Sequence, residues 1–434
     1  MSPEIVGIIG ITILLLLFAF RMPIGLSMLL VGFLGYCYLT STQAGLTKLG
    51  IDPYVTASSY SLSVVPLFIL MGMFLSYGGL GRDLYQAVNT WVGHLRGGMA
   101  MATIGACAAF AAVSGSTTAT AATMATVALP EMKRYGYHDK LATACVAAGG
   151  TLGILIPPSV ILVLYGILTF EPIGKLLIAG ILPGLLQAAL FMATIYLQVK
   201  RNPSLAPLHP KTNFRERLIS LKIVWPVLVL FLLVMGGIYF GVFTPTEAGA
   251  VGAFGAFIFS IATRHFSRES LVGSLDQAAR TTAMIFLIVI GATVFGHFLA
   301  ITKIPFEVSA LVAGLGVSRY VIMALILFLL VFLGCFMEGI AILVLTMPIL
   351  YPLVVVDLGF DGIWFGIIMV IMLNIGLVTP PVGLNVYITG GVAKDVPLQT
   401  IFRGVIPLWI AMIVCAALLI AFPQIATFLP SLMH

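Results

Sequence analysis

Residues 112 to 117 read AVSGST and residues 150 to 159 read GTLGILIPPS; further on, LGCFMEG at 333 to 339 and NIGLVTPPVG at 374 to 383 repeat the arrangement. In each copy a glycine turn inside an apolar hairpin is followed about 40 residues later by a glycine and two prolines inside a helical pattern. Gly115 and Gly334 are 219 residues apart, and Pro157 and Pro380 are 223 apart, close to half of the 434-residue chain. The chain reads as two related halves. Helix breakers at membrane depth free backbone N–H and C=O groups that hydrocarbon does not tolerate unless they line a site. Two such breaks per half point to an ion and substrate site at the pseudo-symmetric centre.

Composition sets the same frame: 61% of residues are hydrophobic, only 8% are charged, and mean hydropathy is +1.15. No soluble fold has that balance. Apolar runs long enough to cross roughly 30 Å of hydrocarbon fall near 4–20, 23–40, 58–80, 139–169, 175–199, 223–241, 246–263, 281–301, 361–390 and 402–428. Hairpins near 98–130 and 320–349 have arms too short to cross alone and read as re-entrant. The expected fold is an all-α polytopic membrane protein of two inverted-topology repeats, each with a re-entrant helical hairpin and a broken transmembrane helix. Residues 1–200 form the first repeat and 223–434 the second, with scaffold spans at 4–80 and 223–263 and a basic connector at 201–222. The first apolar segment lacks a basic leader and a small-residue cleavage site, so it reads as a retained anchor.

Lys and Arg accumulate on the cytoplasmic side of short loops. Arg21, Arg82, Arg96, Lys133, Arg134, Lys140, Lys200, Arg201, Lys211, Arg215, Arg217, Lys222, Arg264, Arg268, Arg280, Lys394 and Arg403 fall on one side of the threading, 17 of the 21 basic residues. Lys48, Lys175, Lys303 and Arg319 fall on the other, and the split requires both termini to face outward. The net charge of +6 then answers to anionic lipid; no nucleic-acid role is needed. Mixed charge beside apolar residues at 82–96 and 268–280 suggests amphipathic arms along the inner interface. The five cysteines lack metal-ligand spacing and read as free, buried thiols.

A hairpin turn points the carbonyls ending one short helix and the amides starting the next at one place. Around Gly115 the hydroxyls of Ser114, Ser116 and Thr117 add hard oxygen ligands, a combination that suits Na⁺. Pro157 and Pro158 remove amide donors and expose upstream carbonyls, so Gly153, Ile156 and Pro158 complete a first candidate Na⁺ site. Gly334, Gly376, Thr379 and Val382 make the second, the last three matching Gly153, Ile156 and Ser159 in register. For the run after Thr117, close helix packing explains the small residues equally well. Ser116, Thr151, Glu338, Asn374 and Asn385 are the candidate substrate contacts. Acids at membrane depth are functional by default, although Glu338 could instead cap the second hairpin arm, and buried amides often only bridge helices. His297 reads as a packed or interfacial histidine.

RMPIG at 21–25, PLFILMG at 66–72, SGSTTATAA at 114–122, PEMKRYGY at 130–137, AAGGTLGILIPPS at 147–159, FTPTEAGA at 243–250 and GLVTPPVGLN at 376–385 together resemble the large membrane subunit of tripartite ATP-independent periplasmic (TRAP) transporters. The resemblance runs in order over nearly the whole chain. It implies an elevator-type, Na⁺-coupled importer of organic carboxylates, of the sialic acid or C4-dicarboxylate class, in a bacterial inner membrane. It also implies two partners, a periplasmic substrate-binding protein and a small four-helix membrane subunit. With the first span beginning at about residue 4, that subunit is expected as a separate chain. Ile154 in GILIPP departs from the smaller or more polar-tolerant pattern expected there. The main alternative is a stand-alone divalent-anion/Na⁺ symporter, which needs no binding protein. An intramembrane enzyme with Ser114 or Ser116 as nucleophile needs a base such as His297 within hydrogen-bond reach, and the symmetric duplication argues against it.

Overall fold

Alternation of apolar runs with glycine, proline and short charged turns produces a chain of helices. A computed structural model describes residues 1–207, 213–262, 266–314 and 316–433. Lys211 and Arg264, both counted in the charge argument, lie outside these residues, as does the last residue of the 246–263 span. The first half runs α1 (Pro3–Ala19), α2 (Ile24–Leu39), α3 (Thr42–Ala57), α4 (Val64–Tyr77), α5 (Leu80–Val92), α6 (Gly98–Ser114), α7 (Thr117–Arg134), α8 (Asp139–Gly150), α9 (Val160–Thr169), α10 (Ile173–Ala179) and α11 (Ile181–Arg201). The second runs α12 (Phe214–Tyr239), α13 (Pro245–Ala262), α14 (Arg268–Thr302), α15 (Ile304–Gly314), α16 (Arg319–Gly334), α17 (Gly339–Tyr351), α18 (Gly362–Leu377), α19 (Leu384–Val392), α20 (Leu398–Ala421) and α21 (Gln424–Ser431).

The two halves share the hairpin and broken-helix plan. Helices α6–α7 and α16–α17 are the hairpins, and α8–α9 and α18–α19 are the broken helices, the expected arrangement. Helix α2 packs along α14 while its counterpart α13 packs along α4. The second arm of each hairpin packs against the far segment of the other half's broken helix, α7 on α19 and α17 on α9. Each half therefore completes the other. Asn385 Nδ2 donates to Ala147 O at 3.2 Å, Tyr165 Oη to Gly362 O at 2.6 Å and Tyr351 Oη to Glu171 Oε1 at 2.7 Å. Lys133, near the base of the first hairpin, pairs with Asp395 beyond α19. That hydrogen bond holds the Asp395 carboxyl below its usual range, so the tie persists on acidification until pH falls through that lowered value.

Several quoted motifs have local physical reasons. In RMPIG, a Cβ on Gly25 would lie 2.5 Å from Leu287 O, and one on Gly291 would lie 2.2 Å from Gly25 O, so α2 and α14 touch backbone to backbone. Gly72, closing PLFILMG, lets α4 approach the end of α6, where a Cβ would sit 3.0 Å from Val113 O. In FTPTEAGA the Glu247 carboxylate accepts from Thr244 N at 2.8 Å while Thr244 Oγ1 accepts from Glu247 N at 3.3 Å, a capping box that starts α13.

Five details differ from the sequence reading. The sequence reading places no span over α3, whose polar residues and Pro53 give it little apolar character; it is held by buried Asp52, whose Oδ2 bonds His297 Nδ1 at 2.8 Å, with Lys48 Nζ 3.9 Å from Oδ1. Asp52→Ala is expected to cost about 1–2 kcal/mol, measured as a lower thermal midpoint of the purified protein. The arm at 268–280 and the span at 281–301 are one continuous helix, α14. The 402–428 span ends at Ala421, and α21 follows as a separate short helix. Helix α12 begins inside the stretch read as connector and bends by 54° between Lys222 and Val224, where the Pro226 ring crowds the carbonyl four residues earlier. Of the cysteines, Cys107, Cys145, Cys335 and Cys415 are free and buried as expected, while Cys37 is free but half-buried.

Candidate functional site

The first hairpin turns at Gly115, in the left-handed region at φ 61°, and Ser116 then adopts extended backbone and caps α7, accepting from Ala119 N at 3.3 Å. Facing it, the first broken helix tightens into a 3-10 turn at Thr151–Ile154, then passes through a cis Pro157–Pro158 bond before Ser159 caps α9. Tip and break interlock: a Cβ on Gly115 would lie 2.5 Å from Pro158 O and one on Gly153 would lie 2.3 Å from Ser116 O. The second half repeats this. Glu338 occupies the N-cap position of α17, Pro380–Pro381 is cis and Gly383 starts α19 at φ 57°. A Cβ on Gly376 would lie 2.5 Å from Gly334 Cα.

The hydroxyl networks show what each tip offers a cation. Thr120 Oγ1 donates to Ser116 O at 2.7 Å, so its 3.0 Å contact with Ser114 Oγ is a bond that Ser114 donates. A hydroxyl has one proton and two lone pairs; the Ser114 oxygen is therefore left with acceptor capacity. Thr379 differs, since it donates to Ile375 O at 2.5 Å and accepts from Trp409 Nε1 at 2.9 Å. One lone pair remains to it. Gly153 and Ile156 are buried beside the first tip, whereas Val382 is 39% exposed.

Between the two tips lies a cavity of about 630 Å³. Gly115, Ser116 and Thr117 line one wall, Glu338 and Gly339 another, and Arg280 on α14 stands on a third. The amino ends of α7 and α17 both border it, and helix N-termini favour anions. Arg280 Nε donates to Asp276 Oδ2 at 2.7 Å, which leaves its two terminal amino groups to meet a carboxylate. Glu338 is exposed in the cavity and makes no side-chain bond to the α17 amides; the capping alternative considered for it is not what the side chain does.

The other candidates are placed differently. Thr151 is fully buried, donating to Ala148 O and accepting from Gln187 Nε2, and it does not line the cavity. Asn374 is fully buried with neither amide atom bonded. Asn385 spends its amino group on Ala147 O, which makes it a tie between the halves. His297 is engaged with Asp52 and does not line the cavity that Ser116 borders. The sequence reading gives Arg280 no part in the site, only a place among the topology-setting charges and at the end of the 268–280 arm. The available signal was that it stands at the start of a long apolar run.

Comparison with known proteins bears on this arrangement. The family model described as "Tripartite ATP-independent periplasmic transporter, DctM component" matches residues 11–425. The chain is 37% identical to the C4-dicarboxylate TRAP transporter large permease protein DctM of Pseudomonas aeruginosa, over 88% of this chain and 89% of that protein. It is 34% identical to the sialic acid TRAP transporter large permease protein SiaM of Vibrio cholerae, over 96% of both. Its fold is similar to that of the Alcanivorax borkumensis YdaH transporter, with a TM-score of 0.65 at 13% identity over 90% of each chain.

Proposed function

The chain belongs to the DctM-component family of TRAP transporters, a multi-pass membrane permease and not an enzyme by kinship, and from that premise we propose that it imports an organic carboxylate together with Na⁺. A periplasmic binding protein delivers the substrate, and a small four-helix membrane subunit, a separate chain, packs beside α2, α4, α12 and α13. The carrying observation is the cavity between two interlocked tip-and-break pairs, with hydroxyl and carbonyl oxygens behind it and helix amino ends facing it. The hairpins and broken helices move as one block against the scaffold, and the basic side of the protein is cytoplasmic in a bacterial inner membrane, with both termini periplasmic. Ser76 and Arg280, toward the basic side of the threading, border the cavity.

Glu338 bears on the substrate class. A dianion spanning the cavity would bring a second carboxylate against this acid, and like charges close together repel. A monocarboxylate carrying hydroxyl donors, as in the sialic acid class, suits both walls. Glu338→Gln is expected to slow uptake of such a monocarboxylate and to relax discrimination against C4-dicarboxylates, measured by competition in the reconstituted system.

The Na⁺ sites are tested by substitution. Ser114→Ala is expected to raise the Na⁺ concentration for half-maximal uptake about tenfold, or about 1.4 kcal/mol. Thr379→Ala is expected to shift it less and to lower the maximal rate, since that hydroxyl also holds the break to Trp409. Unchanged Na⁺ dependence in both variants would overturn the assignment. Full uptake without any binding protein would instead favour the stand-alone symporter.

A further inference from the structure

A second cavity, of about 580 Å³, lies between α5, α6, α11 and α12 and is walled almost entirely by hydrocarbon. Val88 and Trp91 contribute from α5, Ala109 and Ala112 from α6, and Val224 and Leu228 from α12, with Ile156 of the first break at its edge. On α12 the lining residues Leu221, Val224 and Leu228 follow helical spacing, and Arg217 continues the same stripe one turn before Leu221. Its guanidinium stands 6.0 Å above the Trp91 ring and within 3.4 Å of His94 Nδ1. An apolar slot thus ends in a tryptophan, an arginine and a histidine, the order in which acyl chain, interface and phosphate follow one another in a leaflet.

We propose that this cleft is a glycerophospholipid site, with one acyl chain between α6 and α12 and the phosphate at Arg217 and His94. The acyl chain touches Ala109 and Ala112 of the first hairpin on one side and Val224 and Leu228 of α12 on the other. It keeps apart two walls that would otherwise close. The inference does not depend on which carboxylate or cation is carried.

The test is native mass spectrometry of the complex purified in mild detergent, followed by exchange into vesicles of phosphatidylglycerol and phosphatidylethanolamine. Wild type is expected to retain one phospholipid per chain after bulk lipid is stripped. Ala109→Phe and Val224→Trp, which fill the cleft from opposite walls, are expected to cut retention at least tenfold, and Arg217→Ala to weaken it and to abolish any preference for phosphatidylglycerol. Because the two filling variants lie on different elements, a folding defect in one leaves the other decisive. Equal retention in wild type and both filling variants would overturn the proposal, as would loss of the small subunit, rather than of lipid, from those variants.

Discussion

Gly376→Val is expected to bring uptake down by roughly 100-fold while the chain remains in the membrane, the upper end of an overpacking cost of 1–3 kcal/mol. At this position even a Cβ would lie 2.5 Å from the Gly334 Cα. The obstructing atom is backbone at a hairpin tip and cannot swing aside as a side chain can. Gly153→Val should behave the same way, because its Cβ would meet the Ser116 carbonyl at 2.3 Å. Gly296→Ala is the control, since nothing stands within 4 Å of its Cβ. Uptake and membrane abundance measured together decide the matter: normal uptake by Gly376→Val would mean that tip and break need not meet.

Arg280→Ala is expected to raise the half-saturating substrate concentration 10- to 100-fold and to leave the Na⁺ requirement unchanged. A hydrogen bond to a charged group contributes about 1.5–3 kcal/mol, which corresponds to that range. Arg280→Lys should recover only part, because an ammonium keeps the charge but lacks the planar fork that meets a carboxylate at two points. An equal loss in both variants, or a shift in Na⁺ dependence, would assign Arg280 to the packing of α14 instead.

The paired glycines and prolines made the fold legible because they contradict their apolar surroundings. A helix breaker at membrane depth has few explanations, and two copies at matching intervals have fewer. The tips at Gly115 and Gly334 and the breaks before Ser159 and Gly383 lie where the pattern places them. Helix α3 was not legible, because its own buried Asp52 finds its partner in a histidine 245 residues away. Nor was the inequality between Ser114 and Thr379, which arises from Trp409, 30 residues beyond Thr379. Arg280 shows the limit of charge counting. It was assigned to a side of the membrane, while its chemistry depends on the hairpin tips that α14 faces.

The proposed mechanism has an electrical consequence. If two Na⁺ accompany one monocarboxylate, each cycle carries one net positive charge inward, worth about 2.3 kcal/mol per 100 mV of inside-negative potential. A proton relay is poorly supported by the site, where Glu338 is the one acid among the described residues lining the cavity and proton-driven carriers use chains of titratable groups. The direct test is carboxylate uptake into proteoliposomes holding this chain, its small subunit and the binding protein, with Na⁺ and proton gradients imposed separately. Accumulation is expected only with Na⁺ outside and is expected to increase under a valinomycin-set negative potential; accumulation driven by a proton gradient in Na⁺-free buffer would contradict the account.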